Sequence, residues 1–264
     1  MRPLRRLVVG VVIVFLVGPL FVVGVVSFNE SRYMAFPPKA FSNDWYVQLV
    51  ADSQWRSAMF NSFTIAASSA LLAVAIALPL AYFLRTYRTR FNGGLFALGT
   101  LPFMLPPVIS ALGALVFWNA TGHIGRIENV IIAHGVFFST IPLITITLGM
   151  QSMDPALGEA SRTLGAGPRV TFRTVTLPLL LPYLVTGYAA AFVLSLNEYI
   201  VAFMVAGFSV VTLPIKIFNS LRYGFTPTIA SVSVVFTLLA TTVFSLFAAF
   251  GNLPKFLGAE FSDR

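Results

Sequence analysis

The sequence has no cysteine and little charge. Only 10% of its 264 residues are charged, whereas soluble domains carry roughly 25%. The absence of cysteine excludes a disulfide-stapled scaffold and thiolate chemistry, although it leaves the cellular compartment open. Apolar residues dominate instead, with 57% hydrophobic residues and 26 Phe. A soluble domain of this length could not bury so much apolar surface, so we expect a protein that resides in the lipid bilayer.

Catalytic motifs are absent as well. The sequence has no G-x-x-x-x-G-K-[ST] phosphate-binding loop, no H-E-x-x-H zinc motif and no G-x-S-x-G hydrolase motif. Its two histidines, His123 and His134, lie in or beside one predicted loop, where we expect hydrogen-bonding residues at the membrane edge. We therefore expect no catalytic residue and no metal site in this chain.

Six apolar runs are long enough to cross a membrane, which takes about 20 consecutive apolar residues. Glu128 lies at the edge of the fourth run, and Glu198 interrupts the fifth. The sequence predicts an all-α membrane protein with six transmembrane helices in a single domain over residues 1–264. The predicted spans cover residues 7–28, 57–84, 95–118, 127–150, 177–207 and 229–251.

The distribution of basic residues indicates the orientation of these spans. With both termini in the cytoplasm, the cytoplasmic segments hold 11 of the 17 Lys and Arg residues and the outer segments hold the other 6. Positive charge is enriched in the cytoplasmic loops of membrane proteins. We therefore expect cytoplasmic termini, although Lys216 and Arg222 on the outer side oppose this bias in part.

Small residues and prolines indicate how the spans pack. Small residues on one helix face let backbones approach closely, although alanine is common in membrane helices in any case. Proline favours a kink or break, which suits a moving pathway better than a passive anchor. The alanines on one face of the second span are Ala66, Ala70, Ala73, Ala77 and Ala81, and the prolines of later spans are Pro102, Pro106, Pro107, Pro142, Pro178 and Pro182.

The longest predicted cytoplasmic connection, residues 151–174, has the local pattern of two short helices. Asp154 followed by Pro155 is typical of a helix start, because Asp caps free amides and Pro fits the first turn. Gly165 can supply the left-handed residue that ends a helix, and Pro168 begins a second one. The sequence therefore predicts a helix–turn–helix on the inner surface.

One face of the first helix is small and apolar. Ala156, Ala160 and Leu164 share this face through their four-residue spacing. Glu159 and Arg162 are spaced to form an ion pair at its edge. Such a ridge fits a groove on another protein, and the alternative is a surface helix that lies against its own bundle.

The same stretch resembles the EAA loop of permease subunits from binding-protein-dependent ABC importers. The family pattern is Glu-Ala-Ala, three residues, Gly, nine residues, then Ile-x-Leu-Pro. This chain has both gaps at the family length and departs in Ser161 for the second Ala and Val175 for Ile. We call residues 151–178 the EAA loop. Its matching positions are Glu159, Ala160, Ser161, Gly165, Val175, Thr176, Leu177 and Pro178.

The resemblance implies a function and a set of partners. It implies a permease subunit of a bacterial inner membrane that forms the path for a small solute, beside a second permease subunit that is similar or identical. An external binding protein would deliver the solute. Two ATPase subunits would bind ATP and Mg²⁺, so that this chain binds no cofactor itself. The residues that the resemblance assigns to ATPase coupling are Glu159, Ala160, Ser161, Leu164 and Gly165.

Two further segments are most similar to the spermidine and putrescine subgroup of this family. They are LPFMLPPVISALGALVFW at 101–118 and SLNEYIVAFMVAG at 195–207. The subgroup often has paired acids where this chain has Asn197 and Glu198, so one acid is missing. The resemblance implies that these two residues line the path of a polyamine or similar organic cation. Aminoethylphosphonate, iron and thiamine are carried by related subgroups and are alternatives.

Glu198 has a second interpretation, and so does the whole chain. An acid inside a span is a candidate functional residue by default, but it could instead pair with a basic or backbone partner and only fix the structure.

An ion-coupled secondary transporter commonly has inverted repeats, and we find no convincing repeat here. A membrane-embedded enzyme is disfavoured by the missing motifs.

The resemblance also implies a surface for the binding protein on the outer face. We expect part of residues 31–56, with the connection 207–228, to form it, and Asn43 and Thr226 to lie in the contact. Aromatic residues beside spans commonly lie at the level of the lipid headgroups instead. The aromatic residues of the first segment are Tyr33, Trp45, Tyr46 and Trp55.

Overall fold

The computed structural model describes residues 2–87, 89–223 and 227–250. Within these ranges the chain forms thirteen α-helices and one π-helix, with no strand beyond an isolated bridge between Asn29 and Phe41. The helices are α1 (Arg2–Val26), α2 (Asp44–Ala51), α3 (Ser53–Thr86), α4 (Asn92–Met104), α5 (Pro107–Ala120), α6 (Ile127–Phe138), α7 (Thr140–Ser152), α8 (Pro155–Thr163), α9 (Pro168–Thr171), π1 (Phe172–Thr176), α10 (Leu177–Asn197), α11 (Ile200–Ala206), α12 (Leu213–Tyr223) and α13 (Pro227–Phe250).

Three of the described helices are long and apolar enough to cross a membrane. They are Leu4–Val26, Ser53–Thr86 and the continuous run Pro168–Asn197. Two bent pairs, α4 with α5 and α6 with α7, raise the number of candidate spans among the described residues to five. The apolar part of α13, Pro227–Val243, is shorter, and the expected span at 229–251 ends outside the described residues. An all-helical membrane architecture is confirmed, whereas six spans stay a prediction.

Both bends coincide with prolines. The bend between α4 and α5 is 98° and falls at Pro106, with Pro107 as the first residue of α5. The bend between α6 and α7 is 42°. Pro142 of α7 has no amide hydrogen to donate to the Phe138 carbonyl four residues earlier. The expected span at 95–118 is therefore two helices rather than one.

Contacts within the chain define two compact units, and the first comprises Met1–Phe60 and Leu213–Thr241. Trp45 and Trp55 are buried in this unit, and the indole N–H of Trp45 donates to the Asn29 carbonyl at 2.6 Å. These two rings fill the interior of the unit, so the expected contact with a binding protein stays a prediction for other parts of residues 31–56.

The remaining outer positions differ in exposure. Tyr33 is exposed, and so is Asn43, the first of the two positions expected to contact a binding protein. Thr226, the second, lies outside the described residues.

The described part of the second unit comprises residues 61–87, 89–212 and 242–250 and contains the residues predicted for ATPase coupling and for the solute path. The five alanines that share a face of α3 are each at most 1% exposed, which confirms that this face packs against protein. The core around them is formed by α3, α7 and α10. Its buried members are Ala77, Ala81, Leu143, Ile146, Met150, Leu180 and Leu184.

Glycines bring α7 and α10 into close contact. A Cβ atom at Gly187 of α10 would lie 2.5 Å from the Oγ1 atom of Thr145 and 2.8 Å from the Cα atom of Pro142. A Cβ atom at Gly149 of α7 would lie 2.6 Å from the ring of Tyr183. These glycines therefore set the separation of the two helices that flank the EAA loop.

Candidate functional site

The first helix of the EAA loop begins and ends where the sequence predicts. The Asp154 side chain accepts a hydrogen bond from the Ala156 amide at 2.9 Å, and α8 starts at the next residue after Asp154. At the other end Gly165 has φ +82°, and its amide donates to the Arg162 carbonyl at 2.9 Å. The Ala166 amide donates to the carbonyl five residues earlier at 3.0 Å. These two bonds form a Schellman motif, which needs a left-handed residue at this place.

The predicted apolar face of α8 is open. Leu164 is 87% exposed, and Ala156 and Ala160 are exposed as well. Ser161 is the buried residue of this helix. The alternative from the sequence, in which this face lies against the chain's own bundle, is therefore wrong.

Ser161 joins α8 to α9. Its hydroxyl and that of Thr171 lie 2.7 Å apart and form a hydrogen bond. The Ser in place of the family's second Ala thus has a structural partner in this chain. The predicted ion pair between Glu159 and Arg162 is not formed, since the one close contact between a basic and an acidic side chain in the described part of the chain joins His134 and Glu198.

A cleft of about 360 Å³ separates α8 from the ends of α3 and α7. Its walls include Tyr82, Arg85, Met150, Arg162 and Thr176. Three of the predicted coupling residues, Glu159, Ala160 and Ser161, lie on α8, and Leu164 and Gly165 follow directly after its end.

Glu198 lies at a break between two helices. α10 ends at Asn197, and α11 begins at Ile200. One oxygen of the Glu198 carboxylate, Oε1, accepts a hydrogen bond from the Val201 amide at 2.8 Å. The other, Oε2, accepts one from the Ala202 amide at 3.0 Å. The carboxylate therefore caps the first turn of α11.

His134 of α6 is the third partner of this carboxylate. Its Nε2 atom lies 3.1 Å from Glu198 Oε2, and its Nδ1 atom lies 2.8 Å from the Ser195 hydroxyl. The His134 side chain is 1% exposed and meets the Phe138 ring edge to face. His134 is a hydrogen-bonding residue, as expected, but its side chain is buried inside the unit. Ionisable residues within apolar spans commonly pair with one another, and this pattern was the sequence signal for the contact between His134 and Glu198.

The two residues expected in the substrate path differ in their solvent exposure. Asn197 is exposed, and its amide donates to the Val193 carbonyl at 2.8 Å. The Glu198 side chain is only 9% exposed. The structure thus places one open polar side chain beside one that is almost covered.

Comparison with known proteins defines the class of this chain. The sequence model of the family described as "binding-protein-dependent transport system inner membrane component" matches residues 73–251, which include the EAA loop and the break at Glu198. The chain belongs to this family and is a permease component of an ABC importer in the inner membrane. Membership in a permease family supports a transport role rather than an enzymatic one.

Three relatives indicate where in the family the chain lies. It is 31% identical to the putrescine transport system permease protein PotI of Escherichia coli K12, over 88% of this chain and 85% of PotI. It is 29% identical to the spermidine/putrescine transport system permease protein PotC of Haemophilus influenzae, over 90% and 92%. It is 28% identical to the putative 2-aminoethylphosphonate transport system permease protein PhnV of Salmonella choleraesuis, over 98% of each chain.

Two solved structures share the fold. A bacterial ABC transporter that imports alginate superposes with a TM-score of 0.72 at 14% identity, over 93% of this chain and 94% of the other. An inward-facing MetNI methionine ABC transporter gives 0.64 at 18% identity, over 80% and 100%. These likenesses show the fold of an ABC transporter permease and carry no information on the solute.

Proposed function

We propose that this chain forms the membrane path of an ABC importer for a polyamine such as putrescine or spermidine. The similarity to PotI and PotC over most of the chain supports this solute class. The open face of α8 is the single structural observation that carries the importer mechanism. An aminoethylphosphonate importer is the second candidate, because PhnV matches the chain over almost its whole length.

The proposed assembly contains two ATPase subunits and a second permease subunit, similar or identical to this one. An external binding protein delivers the solute. ATP and Mg²⁺ bind to the ATPase subunits, which carry out the hydrolysis. In this arrangement the chain crosses the bacterial inner membrane six times, with both termini and the EAA loop in the cytoplasm.

The proposed coupling runs from α8 to the helix break. Closure of the ATPase dimer displaces α8 through Glu159, Ala160, Ser161, Leu164 and Gly165. The hydrogen bond between Ser161 and Thr171 links α8 to the continuous helical run Pro168–Asn197, which spans roughly 45 Å at 1.5 Å per residue. Nucleotide must favour one arrangement of the bundle over the other for this displacement to drive transport.

Asn197 and Glu198 are the proposed contacts for the solute. An ionised carboxylate has about four acceptor positions, and the Val201 amide, the Ala202 amide and His134 occupy three of those on Glu198. One position remains for an ammonium group. The exposed Asn197 amide lies next to it in sequence and offers a second polar contact.

Changing Glu198 to Gln tests the solute contact. The Gln side chain retains an acceptor for α11 but has no charge, so we expect putrescine uptake to fall roughly tenfold, as expected when a hydrogen bond to a charged group is lost. The measurement is uptake into proteoliposomes that contain the complete importer with its binding protein. Glu128→Gln is the matched control, because Glu128 is an exposed acid of α6.

Two outcomes of this experiment and one assay of ATP hydrolysis separate the proposals. Unchanged uptake in Glu198→Gln removes the residue from the path, and loss of the assembled complex assigns it a structural role only. ATP hydrolysis that is stimulated by aminoethylphosphonate and not by putrescine or spermidine, with the cognate binding protein present, selects the second candidate.

Changing Gly165 to Val tests the coupling loop. No heavy atom lies within 4 Å of a Cβ built at Gly165, so a substitution acts through the backbone conformation alone. A left-handed conformation costs an L-residue roughly 1–2 kcal/mol, and a β-branched residue is strained most. We expect Gly165→Val to lower uptake about tenfold, because 1.4 kcal/mol is a factor of ten.

Gly165→Asn is the control for this substitution, because Asn adopts the left-handed conformation more readily. We expect it to retain uptake close to that of the unmodified protein. Equal uptake by the Val and Asn variants would contradict a requirement for the Schellman motif in coupling.

A further inference from the structure

His134 connects both sides of the break between α10 and α11. Its Nδ1 atom bonds to Ser195 in the last turn of α10, and its Nε2 atom bonds to Glu198 within the break. The Glu198 carboxylate continues this chain of bonds to the Val201 and Ala202 amides of α11. A single imidazole from α6 therefore fixes the junction of two other helices.

The chemistry of the partners indicates which ring nitrogen carries a proton. An ionised carboxylate only accepts hydrogen bonds, so Nε2 of His134 carries a proton. A serine hydroxyl can donate as well as accept, so it donates to Nδ1 when the ring is neutral. The contact with Phe138, at 5.5 Å between ring centroids and 82° between planes, fixes the orientation of the imidazole. Neutral His134 can therefore hold the carboxylate without cancelling its charge.

The geometry also explains why the carboxylate needs this support. α11 has seven residues and packs through its buried Val201, Ala202, Val205 and Ala206. Glu198 lies outside the regular turns of both helices, with φ −75° and ψ 131°. A side chain in such a break can adopt several rotamers unless other groups hold it, and among the described residues His134 is the one side chain that hydrogen-bonds to this carboxylate.

We propose that His134 is a positioning residue for transport, which acts as a neutral Nε2–H donor that holds the Glu198 carboxylate at the break and keeps α11 aligned with α10. The proposal rests on the proposed role of Glu198 in the path of a cationic solute. His134 itself does not contact the solute in this mechanism.

Two amide substitutions of His134 test the proposal. The terminal nitrogen of Gln reaches about as far along the side chain as Nε2 of His, whereas the nitrogen of Asn reaches only as far as Nδ1. His134→Gln can therefore still donate to Glu198, and His134→Asn can bond only to Ser195. We expect putrescine uptake to fall about tenfold in His134→Asn, as for loss of a hydrogen bond to a charged group, and to stay within about threefold in His134→Gln.

A second measurement reports on the packing of α11 at the break and requires no solute. The chain has no cysteine, so a cysteine introduced at Ala202, which is fully buried at the start of α11, is the only thiol. We expect a membrane-permeant maleimide to label Ala202→Cys about tenfold faster when His134 is Asn, and at an unchanged rate when it is Gln. Ala191→Cys, buried within α10, is the control for general loosening of the fold.

The combined results decide the proposal. Equal labelling of Ala202→Cys in the Gln and Asn backgrounds overturns it, as does faster labelling of Ala191→Cys to the same extent. Loss of uptake in His134→Gln with normal labelling overturns the neutral-donor assignment. In the Glu198→Gln background His134→Asn should cause no further loss, since residues in one network are not additive. If the unmodified importer does not transport putrescine, the solute class fails while the labelling result still tests His134.

Discussion

Replacement of Leu164 by Asp is expected to abolish ATP-driven uptake and leave the chain itself folded. The Leu164 side chain is 87% exposed, so its loss removes almost no packing within the chain. In the proposed assembly the same side chain is buried against an ATPase subunit. An unpaired carboxylate at that contact costs roughly 2–5 kcal/mol, which weakens docking by about 1.5 to 3.5 orders of magnitude.

Co-purification with the ATPase subunits and solute-stimulated ATP hydrolysis are the measurements for this variant. Leu164→Met is the matched control, because it preserves an apolar side chain of similar volume, and it should support normal docking. The thermal unfolding of the isolated permease should be the same for all three proteins. Normal association and uptake by Leu164→Asp would remove this face of α8 from the ATPase contact.

Replacement of Gly187 by Val is expected to prevent correct packing of the second unit. The added Cβ would come within 2.8 Å of the Pro142 Cα atom, and a backbone atom cannot move aside as a flexible side chain can. Overpacking a filled interior costs roughly 1–3 kcal/mol, and a clash with backbone lies at the upper end. We expect a strong loss of monodisperse protein in size-exclusion chromatography and a lower Tm for the remainder.

Gly113→Val in α5 makes the same change where no heavy atom lies within 4 Å of the new Cβ. This variant should behave like the unmodified protein, which separates the clash from the general effect of Val in a membrane helix. A normal yield and Tm for Gly187→Val would contradict the close contact of α7 and α10.

Local chemistry made parts of the site predictable from the sequence. The cap at Asp154 and the left-handed Gly165 each depend on neighbouring residues alone, so their positions follow from the residue types. The positions of the two helix bends likewise follow from Pro106 and Pro142 themselves. The angle of 98° between α4 and α5 was not predictable, because packing against other helices selects it.

Partners that are distant in sequence were not predictable. Glu198 and His134 are 64 residues apart, and only the fold brings α6 beside the end of α10. The burial of Trp45 likewise depends on a carbonyl 16 residues away in a segment without regular helix. Sequence patterns identified Glu198 as exceptional, but its three hydrogen-bond partners required the structure.

The contact at Gly187 has a mechanical consequence for the transporter. Because no side chain separates the backbones of α7 and α10 at this point, the two helices resist bending and sliding as a pair far more than either would alone. In the proposed mechanism, a force applied at the EAA loop is then transmitted along α10 with little deformation. At the junction between Asn197 and Ile200 the main chain leaves the helical path, so beyond this point the force reaches α11 through the hydrogen bonds of His134 and Glu198 rather than through a continuous helix.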